Sequence, residues 1–108
     1  MLDALFGNAT AAKVLAFISM NRDSYAQELA DRFGLSLSMV QNQLIRLADG
    51  GVLVAVSRGR TRLYSLNPRF ALARDLEAML RRAVELMPER ERERYIARRR
   101  PRARGKRL

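Results

Sequence analysis

The sequence predicts a mainly α-helical domain that carries one small β-hairpin and closes with a long C-terminal helix. Three observations predict it. Apolar residues recur at helical spacing through ATAAKVLAFIS, YAQELADRF and the stretch after Ser36. Two β-rich runs, VLVAVS and TRLYSL, flank Arg58-Gly59-Arg60, which reads as a hairpin. A last apolar stripe runs through PRFALARDLEAMLRRAVELM before the composition turns to glutamate and arginine. A chain of 108 residues is one domain by length, with room for one modest core.

Met1 to Phe6 forms a short apolar arm, interrupted by Gly7-Asn8, and Asn8 can cap the first long helix by accepting a backbone N–H. In that helix Ala11, Val14, Leu15 and Ile18 share one face. Met20 to Ser24 is a polar break. Ser24 with Gln27 makes a capping box for the second helix; alternatively Tyr25 sits in a short strand and that helix starts one or two residues later. Ala26, Leu29, Ala30 and Phe33 are its buried stripe. Gly34 ends it, and Ser36 caps a third helix over 36–48, so two helices are joined by a short turn containing glycine, as in a helix-turn-helix. Val40, Leu44 and Leu47 face the core. The opposite face is Ser38, Asn42 and Arg46, flanked by Met39 and Ile45, with Gln41 and Gln43 on the shoulders. Asn67-Pro68 opens the last helix, with Asn capping and Pro at the first helical position. Its stripe is Leu72, Leu76, Met79, Leu80, Ala83, Val84 and Met87, and Pro88 ends or bends it.

Charge points to a partner. The chain has 21 basic and 11 acidic residues, for a net charge of +10. Residues 89–108 hold ten basic and three acidic side chains, against eleven and eight in residues 1–88. Such a field attracts nucleic acid or anionic lipid. There is no cysteine and no histidine, which removes disulfides, thiolate metal sites and imidazole catalysis. No glycine-rich phosphate loop precedes a helix, so the chain reads as a non-enzyme without cofactor. The apolar runs are too short to span a bilayer and no secretory segment stands at the start, which points to a cytoplasmic protein.

With the residues SYAQELADRFGLSLSMVQNQLIRLADGGVL and SRGRTRLYSLNP in place, the chain resembles the winged helix-turn-helix transcriptional regulators of the arsenical-resistance-repressor-like (ArsR-like) group, over roughly residues 4–87. The resemblance implies a homodimer on double-stranded DNA, with the terminal helix in the dimer interface. Metal-sensing members need Cys, His and acidic clusters; this sequence lacks the first two, so no metal is expected. The resulting division is a winged helix-turn-helix DNA-binding domain over 1–66, a dimerisation helix over 67–88, and a basic, arginine-rich tail over 89–108.

Each candidate site has two readings. On the third helix, amides and an arginine can pair with adenine and guanine in the major groove, or simply solvate an outer face. The absence of any acid between Gly34 and Ala48 favours the groove. Ser38, Met39, Gln41, Asn42 and Gln43 are the base-reading candidates, and Arg46 reaches a guanine or a phosphate. Ile45 either packs near the hairpin or meets a thymine methyl. Arg58, Arg60 and Arg62 on the hairpin reach flanking phosphates or the minor groove, or else blunt a sheet edge. The last helix's stripe pairs with a second subunit, folds onto its own body, or both. In the tail, Arg98, Arg99, Arg100, Arg102, Arg104, Lys106 and Arg107 bind phosphate or form a solvated run. The expected function is a homodimeric bacterial or archaeal repressor reading a pseudo-palindrome. The alternatives are a winged-helix adaptor, such as the partner of a toxin or nucleotidyltransferase, and an RNA binder acting through the tail.

Overall fold

The computed structural model describes residues 1–97. Six helices and three strands run in the order α1 Leu2–Phe6, α2 Ala9–Asn21, β1 Asp23–Ser24, α3 Ala26–Phe33, α4 Leu37–Asp49, β2 Leu53–Arg58, β3 Thr61–Leu66, α5 Ala73–Glu85 and α6 Glu89–Arg92, then a 3-10 turn over Glu93–Tyr95.

The core is built around α2. Apart from Lys13, every residue from Thr10 to Ser19 is buried, and Val14, Ala16, Phe17 and Ile18 are wholly so. A helix apolar on all sides must be surrounded, and α2 is packed by α1, α3, α4 and α5. Asn8 caps it as the sequence indicates, its side-chain oxygen accepting from the Ala11 N–H at 2.9 Å. Its far end is capped by a cation from outside: Arg81 of α5 donates to the Ser19 carbonyl at 2.9 Å, the favourable sign for a helix C-terminus. The turn into β1 passes through Arg22 at φ 75°, a left-handed value that costs a non-glycine residue on the order of 1–3 kcal/mol.

The helix-turn-helix pair obeys its local signals. Gly34 ends α3 at φ 65°, where a Cβ would be strained, and Ser36 caps α4 by accepting from the Met39 N–H at 3.2 Å. Val40, Leu44 and Leu47 are buried beneath α4. The capping box at α3 does not form. Ser24 is fully buried in β1 and donates to the Glu28 carboxylate at 2.6 Å, Gln27 donates instead to Asp31, and Tyr25 takes the N-cap position.

The sheet has three strands in the order β1-β3-β2, all antiparallel. The hairpin signal covers two of them; the third pairs Asp23 with Ser65 and Ser24 with Tyr64. In the hairpin Arg58 pairs with Thr61, leaving Gly59-Arg60 as a two-residue turn. Gly59 sits at φ 61°, the positive angle required at the first central position of a tight hairpin of this kind.

The C-terminal part departs most from expectation. Asn67-Pro68 does not open a helix. The Asn67 oxygen accepts from the Arg69 N–H at 3.0 Å and its amide donates to the Gly51 carbonyl at 2.9 Å, so the residue folds a turn and ties it to the end of α4. The last long helix is therefore Ala73–Glu85, not 67–88. Arm residues 2–6 are helical, and Leu2 is buried. Residues 89–97 also belong to the body, not to a tail. Tyr95 is buried, with its ring 5.0 Å from that of Phe33, and Arg94 lies over the same Phe33 ring at 5.1 Å. Asn21 secures the segment: its amide donates to the Phe17 and Tyr95 carbonyls at 2.8 and 2.9 Å, and its oxygen accepts from the Ala97 N–H at 3.0 Å. Burial, with a push from Glu91, raises the Tyr95 phenol to about 12. One core cluster thus runs from Leu2 to Tyr95, drawing residues from both sides of positions 66 and 88.

Candidate nucleic-acid interface

Helix α4 lies on the surface with its leucines inward, so its outer face is set by the helical repeat. Ser38, Asn42 and Arg46 stand along the middle of that face and all three are exposed. At ~100° per residue, Ile45 and Gln41 fall to one side of this row, and Met39 and Gln43 to the other. Met39 and Ile45 are each about half exposed for large apolar side chains, at 50% and 51%.

The hairpin stands beside the Gln41 and Ile45 flank. Between them is a trough of about 600 Å³ lined by Gln41, Ile45, Leu37, Arg60, Thr61, Arg62, Tyr64 and the start of α3 at Tyr25, Ala26 and Gln27. Register explains which arginines enter it. Side chains alternate along a strand, and Arg62 shares a face with Tyr64, its guanidinium carbon 5.9 Å from the ring centre. Arg60 reaches the trough from the turn. Arg58 falls on the other face of the hairpin with Val56, so the structure joins two of the three hairpin arginines to α4 and leaves the third apart. Ile45 lies on the hairpin side. Tyr25, Gln27 and Thr61 were missed by sequence reasoning. The place of Tyr25 and Gln27 depends on β1 pairing with β3, and a two-residue strand has no periodicity to reveal it.

The opposite flank of α4 is different. Arg46 and Leu47 there help line a largely apolar hollow of about 420 Å³ with Phe6, Ala11, Leu15, Val52, Phe70, Leu72, Asp75, Leu76 and Met79. Of the expected dimer residues, Leu72 and Met79 are exposed, at 58% and 38%, while Leu76 and Met87 are half-buried. Leu80, Ala83 and Val84 are buried in the chain's own core and have no surface to offer a partner, which corrects their assignment to a dimer interface. The continuous stripe of the sequence is thus two faces: one turned to α2, the other open beside α1, where Leu5 is also exposed.

No family model matches the chain, and no curated protein matches it. Solved structures do. Reduced HlyU from Vibrio cholerae superposes with a TM-score of 0.61 at 20% identity, covering 77% of this chain and 81% of that one. YusO from Bacillus subtilis gives 0.59 at 18%, covering 83% and 72%. A ZitR double mutant from Lactococcus lactis, in its apo form, gives 0.50 at 18%, covering 79% and 73%. At such identities the likeness is one of fold, and it agrees with the order of helices and strands in this chain. This is a winged helix-turn-helix fold. In it α4 is the second helix of the helix-turn-helix and the β2–β3 hairpin is the wing. Among the described residues no three His, Cys, Asp or Glu side chains form a group able to hold a metal ion, and no helix is long and apolar enough to cross a membrane. The tail positions Arg98, Arg99, Arg100, Arg102, Arg104, Lys106 and Arg107 lie outside the described residues.

Proposed function

We propose that the chain is a sequence-specific transcriptional regulator of double-stranded DNA, acting as a homodimeric repressor. The observation that carries this reading is the uncovered row Ser38, Asn42 and Arg46 on a recognition helix without acids before Asp49, beside a trough holding Arg60 and Arg62. An α-helix fits the major groove, where Asn pairs bidentately with adenine and Arg with guanine. The wing arginines and the Tyr25 hydroxyl supply phosphate contacts, which fix register without reading sequence. Dimerisation joins the exposed Leu72 and Met79 of two copies, with Leu5 and Leu76 at the margin. The twofold axis then sets the two recognition helices about 34 Å apart in successive major grooves.

The test is selection of bound duplexes from a random library by the full chain, then titration of the selected site at several salt concentrations. A pseudo-palindromic site with a strong salt dependence is expected. A folded protein that enriches no sequence overturns the reading, and a stoichiometric complex with another protein in place of DNA affinity favours the adaptor.

A further inference from the structure

Gln43 and Arg46 stand three residues apart on α4 and are already joined in the folded chain. The Nε–H and an Nη2–H of Arg46 both donate to the Gln43 side-chain oxygen, at 3.0 and 2.8 Å. The guanidinium is a planar fork with two edges that present parallel N–H groups, the side edge at Nε and Nη2 and the end edge at Nη1 and Nη2. Gln43 occupies the side edge. The end edge stays open, and the plane of the fork is held before any DNA arrives. Because Gln43 is neutral, the full positive charge of Arg46 remains available. Among the described residues Arg46 has no carboxylate partner.

The helix wheel separates the two roles. Taking Asn42 as the centre of the exposed face, Arg46 lies ~40° away and Gln43 ~100° away. Arg46 therefore belongs to the row that meets the groove floor, and Gln43 to the shoulder. On the other shoulder Gln41 makes no such bond among the described residues and keeps its amide free. Resting on the proposed DNA-regulator function, we infer that Gln43 is a positioning residue and not a base reader: it holds Arg46 so that its end edge meets O6 and N7 of one guanine in each half-site. The preference for G·C at that position then belongs to the pair, and the rotamer freedom of a long arginine is surrendered before binding.

The experiment starts from the selected site and measures binding of the full-length protein to duplexes carrying each single base-pair change. Arg46→Ala is expected to remove a preference for G·C of about tenfold or more at one symmetric pair of positions. Gln43→Met, which keeps length and helix propensity but loses the oxygen, is expected to lower the preference at those same positions to about threefold, with the salt dependence unchanged. Gln43→Glu keeps an acceptor for Arg46 and is expected to retain the preference while weakening binding to all duplexes alike, because its carboxylate offsets the Arg46 charge. The inference is overturned if Gln43→Met alters preference at a different base pair, which would make Gln43 a reader itself, or if it leaves the Arg46 positions untouched. If the wild-type protein selects no site at all, the regulator reading fails first, a result distinct from either of these.

Discussion

The two flanks of α4 are close neighbours with opposite chemistry. On the wing side lies a trough edged by Gln41, Arg60, Arg62 and Tyr25; on the other side a hollow walled by Phe6, Leu15, Phe70, Leu72 and Met79. Guanidinium groups are stable in water and gain by releasing counterions from a polyanion. Exposed leucine and methionine gain only when another apolar surface covers them, at roughly 25 cal/mol per Å² buried. The same partner cannot satisfy both flanks. The difference teaches that one helix separates two kinds of surface, with the row Ser38, Asn42 and Arg46 between them.

The sharpest way to break this comparison is to make the hollow polar. Leu72→Glu with Met79→Glu is expected to turn a dimer into a monomer in sedimentation and to weaken operator binding by about a hundredfold, because the second half-site loses its tether. Since both side chains are exposed, the melting temperature of the protomer fold should hardly move, and a double variant that stays dimeric removes the hollow from the interface. Next comes a control that should touch neither flank. Asn21→Ala loses the amide that serves Phe17, Tyr95 and Ala97, and unfolding in urea should show a loss of about 2 kcal/mol, roughly thirtyfold in the folding equilibrium. Asn42→Ala tests the row itself: about tenfold weaker binding to the selected site is expected, with binding to random duplex unchanged. Arg60→Ala tests the trough and should weaken all sequences alike by about threefold, flattening the slope of log affinity against log salt by about one unit. One effect appears only at alkaline pH. The Tyr95 phenol is raised from 10.0 to about 12 in the fold, so the folded state holds its proton more tightly than the unfolded chain. Its contribution is complete below pH 10 and is lost as the pH rises towards 12. Over that window the wild type should lose stability relative to Tyr95→Phe as the pH rises, because the buried phenol resists ionisation; parallel curves would refute the assignment.

Much of the fold is legible in the sequence where the signal is local. Asn8, Gly34 and Ser36 cap or end helices through their own side chains and backbone, and the sequence places all three. Leu44 and Val40 are buried because the helical repeat requires it. Asn67 misleads because the same side-chain oxygen can cap a helix or fold a turn; the choice is made by its other end, which reaches Gly51 sixteen residues away. Ser24 fails as a cap for a similar reason, since pairing with Tyr64 draws it into the sheet. Tyr95 is hidden among Glu91, Glu93 and Arg94, whose charges give no hint of a buried ring. In the candidate site, the exposed row Ser38, Asn42 and Arg46 can be read from periodicity alone. Which wing arginines join it cannot, because that depends on strand register. Nor can the bond between Gln43 and Arg46 be read, because the spacing permits it without requiring it.

The Asn21 clip also has a consequence for the order in which the molecule is made. A ribosome delivers Asn21 and Phe33 long before Tyr95 and Ala97, so α2 and α3 emerge with an unfilled aromatic seat and an amide whose cross-chain partners do not yet exist. Folding of a single core cannot finish until its most distant contacts can close. The nascent chain must therefore wait, incompletely packed, until residue 97 has cleared the exit tunnel.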